Sequence, residues 1–222
     1  MKILLPVLFA TFVFQAQGAI QVEASRVIYS GKERSASLKI NNPSSRNYIV
    51  QTWLDNGTES PNGSRPIIVT PPLVKLRPEQ SALLRFIYSG SGLPTDRETL
   101  YWVNVQEVPP SAAGENVLQI AIRTRLKLFY RPQEIKTTLA DEVQKMQWTS
   151  SATTLTFNNN GPLHITLSKM ELADNKGKTV PINGIMLSPY SHQSLTLPAG
   201  AHLKSMKYIN DHGASIAIPV KR

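Results

Sequence analysis

The chain has 222 residues, room for one large all-β domain or for two domains of about 100 residues each. Hydrophobic residues make up 41%, charged residues 18%, and the formal net charge is +9, so the composition is that of a globular chain with a basic surface. With no cysteine and only four histidines, a cysteine nucleophile, a redox pair, a thiolate metal cluster and a disulfide framework are all excluded.

At the N-terminus, Lys2 precedes the apolar run Ile3 to Phe14, and Gln15-Ala16-Gln17-Gly18 supplies a small-x-small ending. This is the pattern of a secretory signal cut between Gly18 and Ala19, and the run is too short to span a bilayer as a helix. An exported chain meets little nucleic acid, so its positive charge points to other partners or to solubility. Ten of the eleven arginines lie between Arg26 and Arg131. Because arginine holds carboxylates in a fixed fork, specific anion recognition belongs to this half if it exists at all.

From Ile20 onward, short β-branched or aromatic runs with period-two alternation are separated by Gly, Pro, Asn and Ser clusters, the pattern of a β-sandwich. The first half predicts strands at 21–29, 35–41, 48–55, 67–70, 82–88, 99–107 and 117–130. Turn chemistry between them includes Asn41-Asn42-Pro43, Asn56-Gly57, Pro61-Asn62-Gly63, Gly90-Ser91-Gly92 and Pro109-Pro110. After Arg131-Pro132 the pattern restarts, with strands predicted at 143–148, 153–158, 164–172, 179–182, 192–197, 202–209 and 215–220. Residues 132–141 read as a linker, which divides the chain into a leader (1–18), a first sandwich (19–138) and a second (139–222). No internal repeat aligns the halves.

No catalytic motif is present: HExxH, GxSxG, GxxxxGK[ST] and GxGxxG are all missing, and His164, His192, His202 and His212 lack ligand spacing. These histidines read as surface residues or satisfied hydrogen-bonders. The most unusual segment is Val117 to Tyr130, about twice the length of an ordinary strand. Leu118, Ile120 and Ile122 alternate with Gln119, Ala121 and Arg123, giving an aliphatic row on one face. Either the row faces the core of its own sandwich, or it lies exposed at a sheet edge, where it could receive a strand from another chain.

Four strings, in this order, resemble the periplasmic chaperones of chaperone–usher pili. They are Ser25-Arg26-Val27-Ile28-Tyr29, Val103-Asn104-Val105-Gln106-Glu107-Val108-Pro109-Pro110, Ile122-Arg123-Thr124-Arg125-Leu126-Lys127-Leu128-Phe129-Tyr130-Arg131-Pro132 and Tyr208-Ile209-Asn210-Asp211-His212-Gly213-Ala214. The resemblance covers nearly the whole mature chain. It implies an all-β protein of two immunoglobulin-like sandwiches set in an L. It also implies a non-enzymatic periplasmic chaperone without cofactor or metal, whose partners are pilin subunits and an outer-membrane usher. In such chaperones the long strand completes an unfinished pilin by donor-strand complementation; here Leu118, Ile120 and Ile122 match the residues that fill its pockets. Arg26 and Lys127 match the pair that anchors the pilin's terminal carboxylate. Glu98, Arg131 and Asp211 match an ionic trio at the domain junction. The short connection Pro109 to Asn116 resembles that of the short F–G loop subgroup serving rod-type pili, and self-association of the unloaded protein would hide the aliphatic row.

Strict alternation sets Lys127 on the opposite parity from Leu118, Ile120 and Ile122. A bulge or strong twist between 122 and 127, or a ligand that wraps from the edge into the cleft, would resolve the conflict. An alternative reading is an exported immunoglobulin-like ligand or adhesin module, with the aliphatic row internal and the cations binding acidic sugars.

Overall fold

A computed structural model of the chain describes residues 20–57, 66–110, 118–174 and 178–220. The leader expected at 1–18, the turn at Pro61-Asn62-Gly63 and most of the Pro109 to Asn116 connection lie outside these residues. Among them, the first half forms β1 (Gln21–Val22), β2 (Arg26–Ser30), β3 (Ala36–Asn41), β4 (Tyr48–Asp55), β5 (Ile67–Thr70), β6 (Leu73–Leu76), β7 (Ser81–Tyr88), β8 (Thr99–Val108) and β9 (Arg123–Arg131). The second half forms α1 (Leu139–Lys145), β10 (Gln147–Ser150), β11 (Thr154–Asn159), β12 (Ile165–Ala173), β13 (Thr179–Leu187), β14 (Ser191–Thr196), β15 (His202–Ile209) and β16 (Ser215–Ile218).

Each half is a two-sheet sandwich. In the first, the sheet β1-β3-β7-β5 faces the sheet β2-β9-β8-β4-β6. Alternate residues of the strands meet between them: Leu38 and Ile40, Val50, Leu84 and Phe86, Val103, Leu126 and Leu128 are all buried. Tyr29 is fully enclosed here, its hydroxyl donating to the Arg34 carbonyl at 2.9 Å while accepting from the Tyr88 amide at 3.1 Å. In the second half, β10-β11-β14 faces β13-β12-β15-β16 around Leu155, Phe157, Ile165, Leu167 and Leu187. Separate cores of this kind let each half exclude water from its own apolar surface.

The two halves do share a device. Asn42, just after β3, is buried and its side-chain amide donates to the carbonyls of Arg46 (2.7 Å) and Leu76 (3.2 Å). Asn159, at the end of β11, donates likewise to Leu163 (2.8 Å) and Ser188 (2.7 Å). Each asparagine satisfies backbone carbonyls that would otherwise be buried unpaired where the chain turns between sheets.

Several sequence expectations need correction. The long strand predicted at 117–130 starts only at Arg123; the described residues before it, 118–122, form no strand. Its ladder with β8 ends there because the neighbouring chain continues into Pro109-Pro110, which offer no N–H. The last link is the Glu107 amide donating to the Ile122 carbonyl at 3.0 Å. Of the strand predicted at 143–148, residues 143–145 belong to α1 and only Gln147 and Trp148 are strand, opening β10. Thr138 caps that helix by accepting the Asp141 amide at 3.2 Å while the Asp141 side chain reaches back, a capping box worth about 1 kcal/mol. The predicted strand 21–29 is broken at Glu23-Ala24-Ser25, where the chain leaves one sheet and joins the other. β6 was not anticipated, and β13 runs five residues past the predicted 179–182, to Leu187.

Candidate functional site

The site is organised by β9, whose even-numbered residues Leu126, Leu128 and Tyr130 point into the first core. The odd-numbered Arg123, Arg125 and Lys127 therefore occupy the outer face. Pairing with β8 is regular from Gln106 opposite Arg123 to Thr99 opposite Tyr130, with no register shift. The bulge considered for residues 122–127 is thus not needed within the strand. Leu118, Ile120 and Ile122 continue the even series beyond the end of the sandwich and are 85%, 67% and 45% exposed. The row is not enclosed by its own core.

On its other side β9 is joined by β2, running parallel, with Arg26 opposite Lys127 and Ser30 opposite Arg131. Because β2 begins at Arg26, the stretch Arg123–Leu126 has no ladder partner on that side among the described residues. An unpaired strand edge thus runs from the exposed aliphatic row to the Arg26–Lys127 pair.

That pair sits where the two sandwiches meet. The Arg26 guanidinium donates one long bond from Nη1 to the Ile209 carbonyl, 3.4 Å, and its Cζ lies 5.9 Å from the centre of the Phe129 ring. Its Nε is buried with no hydrogen-bond partner. Lys127 Nζ lies 3.2 Å from the Met186 thioether and 5.5 Å from the centre of the Trp102 ring. Neither cation has a carboxylate at ion-pair distance among the described residues. Burial pulls the Arg26 pKa down, with Asp211 and Glu98 opposing. Burial also lowers the Lys127 pKa, and the charge of Arg26 lowers it further. Two neighbouring cations, half desolvated and supplied only with weak acceptors, form a site that gains from an anion.

Beside it, Arg131 bridges the halves. Its Nε and Nη2 donate to Glu98 Oε1 at 3.1 and 3.0 Å, and its Nη1 and Nη2 donate to the Asp211 carboxylate at 2.9 and 3.0 Å. The second Glu98 oxygen accepts the His164 amide at 2.9 Å and faces His164 Nδ1 at 3.0 Å. Since an ionised carboxylate only accepts, Nδ1 carries the proton in that contact. Asp211 is presented by the turn between β15 and β16, where Asn210 Oδ1 accepts the amides of His212 (3.0 Å) and Ala214 (2.8 Å). Gly213 closes that turn at φ +85°, against the Ser25 side chain.

Sequence reasoning grouped His164 with the other histidines and missed its part in this network. Its only sequence signal is position, at the start of a buried strand. His192, His202 and His212 are exposed. Among the described residues, no cluster of His and carboxylates could hold a metal ion, and no helix is long and apolar enough to cross a membrane.

Comparison with known proteins accounts for both halves. Residues 19–136 match the PapD N-terminal domain of pili and flagellar-assembly chaperones, and residues 141–218 match the PapD C-terminal domain of pili assembly chaperones. The chaperone protein LpfB of Salmonella typhimurium is 37% identical over 206 residues, covering 89% of this chain and 86% of the relative. The chaperone protein PapD of Escherichia coli is 32% identical over 217 residues, covering 96% and 90%. Among solved structures, the Salmonella enterica SafB chaperone in complex with the SafA pilin superimposes with a TM-score of 0.74 at 28% identity, covering 95% of this chain and 99% of that one. With both sandwiches matched in order over nearly all of the described chain, the protein belongs to the pilus assembly chaperone family.

Proposed function

We propose that this chain is an exported, periplasmic, non-enzymatic chaperone that captures fimbrial subunits by lending them a strand and passes them to an outer-membrane usher. The observation that carries this reading is the exposed row Leu118, Ile120 and Ile122, leading straight into an unpaired strand edge that ends at two cations. A row turned outward also argues against the adhesin-module alternative, which needs it internal.

The geometry favours one direction for the guest strand. A segment added to β9 ahead of β2 lies end to end with β2. Running parallel to β9, it brings its carboxyl end to Arg26 and Lys127; running antiparallel, it would bring a cationic amino end to the same two cations. A chain terminus belongs to neither face of a sheet, so the parity conflict between Lys127 and the aliphatic row disappears.

Burying each aliphatic side chain in a guest's open core contributes about 1.5–3 kcal/mol. A charge-assisted clamp on a carboxylate loses about 2–5 kcal/mol when one partner is removed. The row therefore supplies most of the affinity, and the clamp fixes register by allowing a single position for the chain end. Glu98, Arg131 and Asp211 set the angle between the sandwiches without touching the guest. Residues 1–18 act as the cleaved leader, and the few residues between Pro109 and Asn116 in the sequence support a chaperone for rod-type pili. Without a guest, the row is shielded by self-association.

Co-expression with candidate subunits from the same genome, followed by purification of a one-to-one complex, tests this reading. Arg26→Ala and Lys127→Ala should stay folded and fail to retain subunit. Full retention by both variants would overturn the clamp.

A further inference from the structure

The outer face of β9 carries more charge than the carboxylate clamp uses. Arg123 and Arg125 precede Lys127 at alternate positions, and both are exposed. Arg125 Cζ lies 4.3 Å from the centre of the Trp102 ring, and Arg123 Cζ lies 5.9 Å from the centre of the Trp53 ring. Among the described residues, one carboxylate pairs with these arginines: Asp55, which accepts Arg125 Nη2 at 2.7 Å, the Asn104 side-chain amide at 2.6 Å and the Gly57 amide at 2.9 Å. Burial alone would raise the Asp55 pKa, but these hydrogen bonds outweigh it and hold the carboxyl below its usual range. Glu107, the acid of β8, is buried on the opposite face and accepts the Ile20 amide. Arg123 has no carboxylate partner among the described residues.

Four cations, Arg26, Lys127, Arg125 and Arg123, thus line one side of the strand edge; among the described residues only Asp55 is at ion-pair distance from any of them, while Asp211 and Glu98 act on Arg26 from farther off. Trp102 and the Asp55 carboxylate hold the Arg125 guanidinium, and Trp53 lies within cation–π range of Arg123, contacts that leave further N–H donors at the guanidinium edges. A guest strand paired parallel on this edge lies about 4.8 Å away, with its alternate side chains beside Arg125 and Arg123.

We infer that Arg123 and Arg125 form a specificity element, selecting guest strands that carry two acidic side chains two residues apart, just before the terminal carboxylate, on the face opposite their apolar residues. This rests on the parallel strand addition proposed above. It converts a hydrophobic edge that would accept many apolar strands into one that discriminates by charge, since acids beside the two arginines are attracted and like charges repelled.

The test uses the full mature chain and synthetic strand-length peptides, apolar at alternate positions, with a free carboxyl end and with Asp, Ser or Lys at the two intervening positions nearest that end. A fourth peptide is the Asp form with its carboxyl amidated. Binding is read by calorimetry and by the fluorescence of Trp53 and Trp102. The Asp peptide should bind on the order of tenfold more tightly than the Ser peptide, and the Lys peptide more weakly than either. The Asp advantage should shrink with added salt, vanish in an Arg123→Gln, Arg125→Gln variant, and survive Lys75→Gln, which removes an exposed cation from β6 at the far edge of the same sheet. Equal binding of the Asp, Ser and Lys peptides, with amidation still weakening binding, overturns this inference and leaves the clamp standing. Amidation without effect overturns the clamp itself, and no binding by any peptide counts against both.

Discussion

Arg26 and Lys127 are partners across a parallel strand pair, and each carries a positive charge into the junction of two sandwiches without a carboxylate at ion-pair distance among the described residues. Their proximity is unfavourable in the free protein. Burial and the charge of Arg26 hold Lys127 below the ordinary lysine value of 10.5. A bound carboxylate opposes both influences with its own charge and raises the lysine pKa in the complex. Subunit or peptide affinity should therefore be greatest below the free-state lysine pKa and fall as pH rises toward the pKa of the complex, the decline beginning on the acid side of 10.5. Calorimetry across alkaline pH should show this in the parent chain. In Lys127→Gln that dependence should be lost, leaving weaker, flatter binding.

The exposed aliphatic row separates stability from function. Ile120→Asp or Ile122→Asp should change the unfolding free energy of the free chain by no more than about 0.5 kcal/mol, because the side chains are not packed in its core. The same changes should weaken subunit capture by about 10-fold to 100-fold or more, since they remove about 1.5–3 kcal/mol of apolar burial and place a charge in the guest's core. Urea titration and co-purification yields measure the two effects. A large loss of stability in the free chain would mean that the row packs within its own molecule.

At the junction, the Glu98 side chain is 2% exposed and depends on Arg131 for charge compensation. Arg131→Ala should cost about 3–5 kcal/mol, because it leaves a buried carboxylate uncompensated. Asp211→Asn should cost less: Asp211 is 31% exposed, so water can replace part of what is lost. Denaturant unfolding gives the ranking, and small-angle scattering should show a wider spread of interdomain angles in the arginine variant.

Gly213→Ala should lower stability by more than about 1 kcal/mol, because φ of +85° is strained for alanine and its Cβ would come 2.2 Å from Ser25 Oγ. Adding Ser25→Gly should return the steric part and leave the backbone part. Thermal unfolding of the single and double variants separates the two.

Much of this was legible in the sequence. Period-two alternation located most strands within a residue or two, because each strand has one face on a core and one toward water. The failures have physical causes. Residues 118–121 alternate like a strand but have no ladder partner among the described residues, and hydrophobic periodicity reports what a segment can pair with, not whether a neighbour is present. Val143 and Met146 are spaced for a helix face, and Thr138 and Asp141 spell its cap, yet a seven-residue helix is too short for periodicity to stand out. The contacts of Arg131 with Glu98 and Asp211 join residues 33 and 80 positions away, and only the resemblance suggested them. His164 had no such guide: its ring is fixed by a carboxylate 66 positions upstream.

Glu98 engages the first sandwich through one oxygen and the second through the other. Chimeras are constrained accordingly. A rear half borrowed from a relative must bring a donor where His164 stands and an acid where Asp211 stands, or the front half will carry a stranded charge into the seam. Severing the polypeptide near Thr138 has the same consequence. The two sandwiches have independent interiors but are interchangeable only as matched sets.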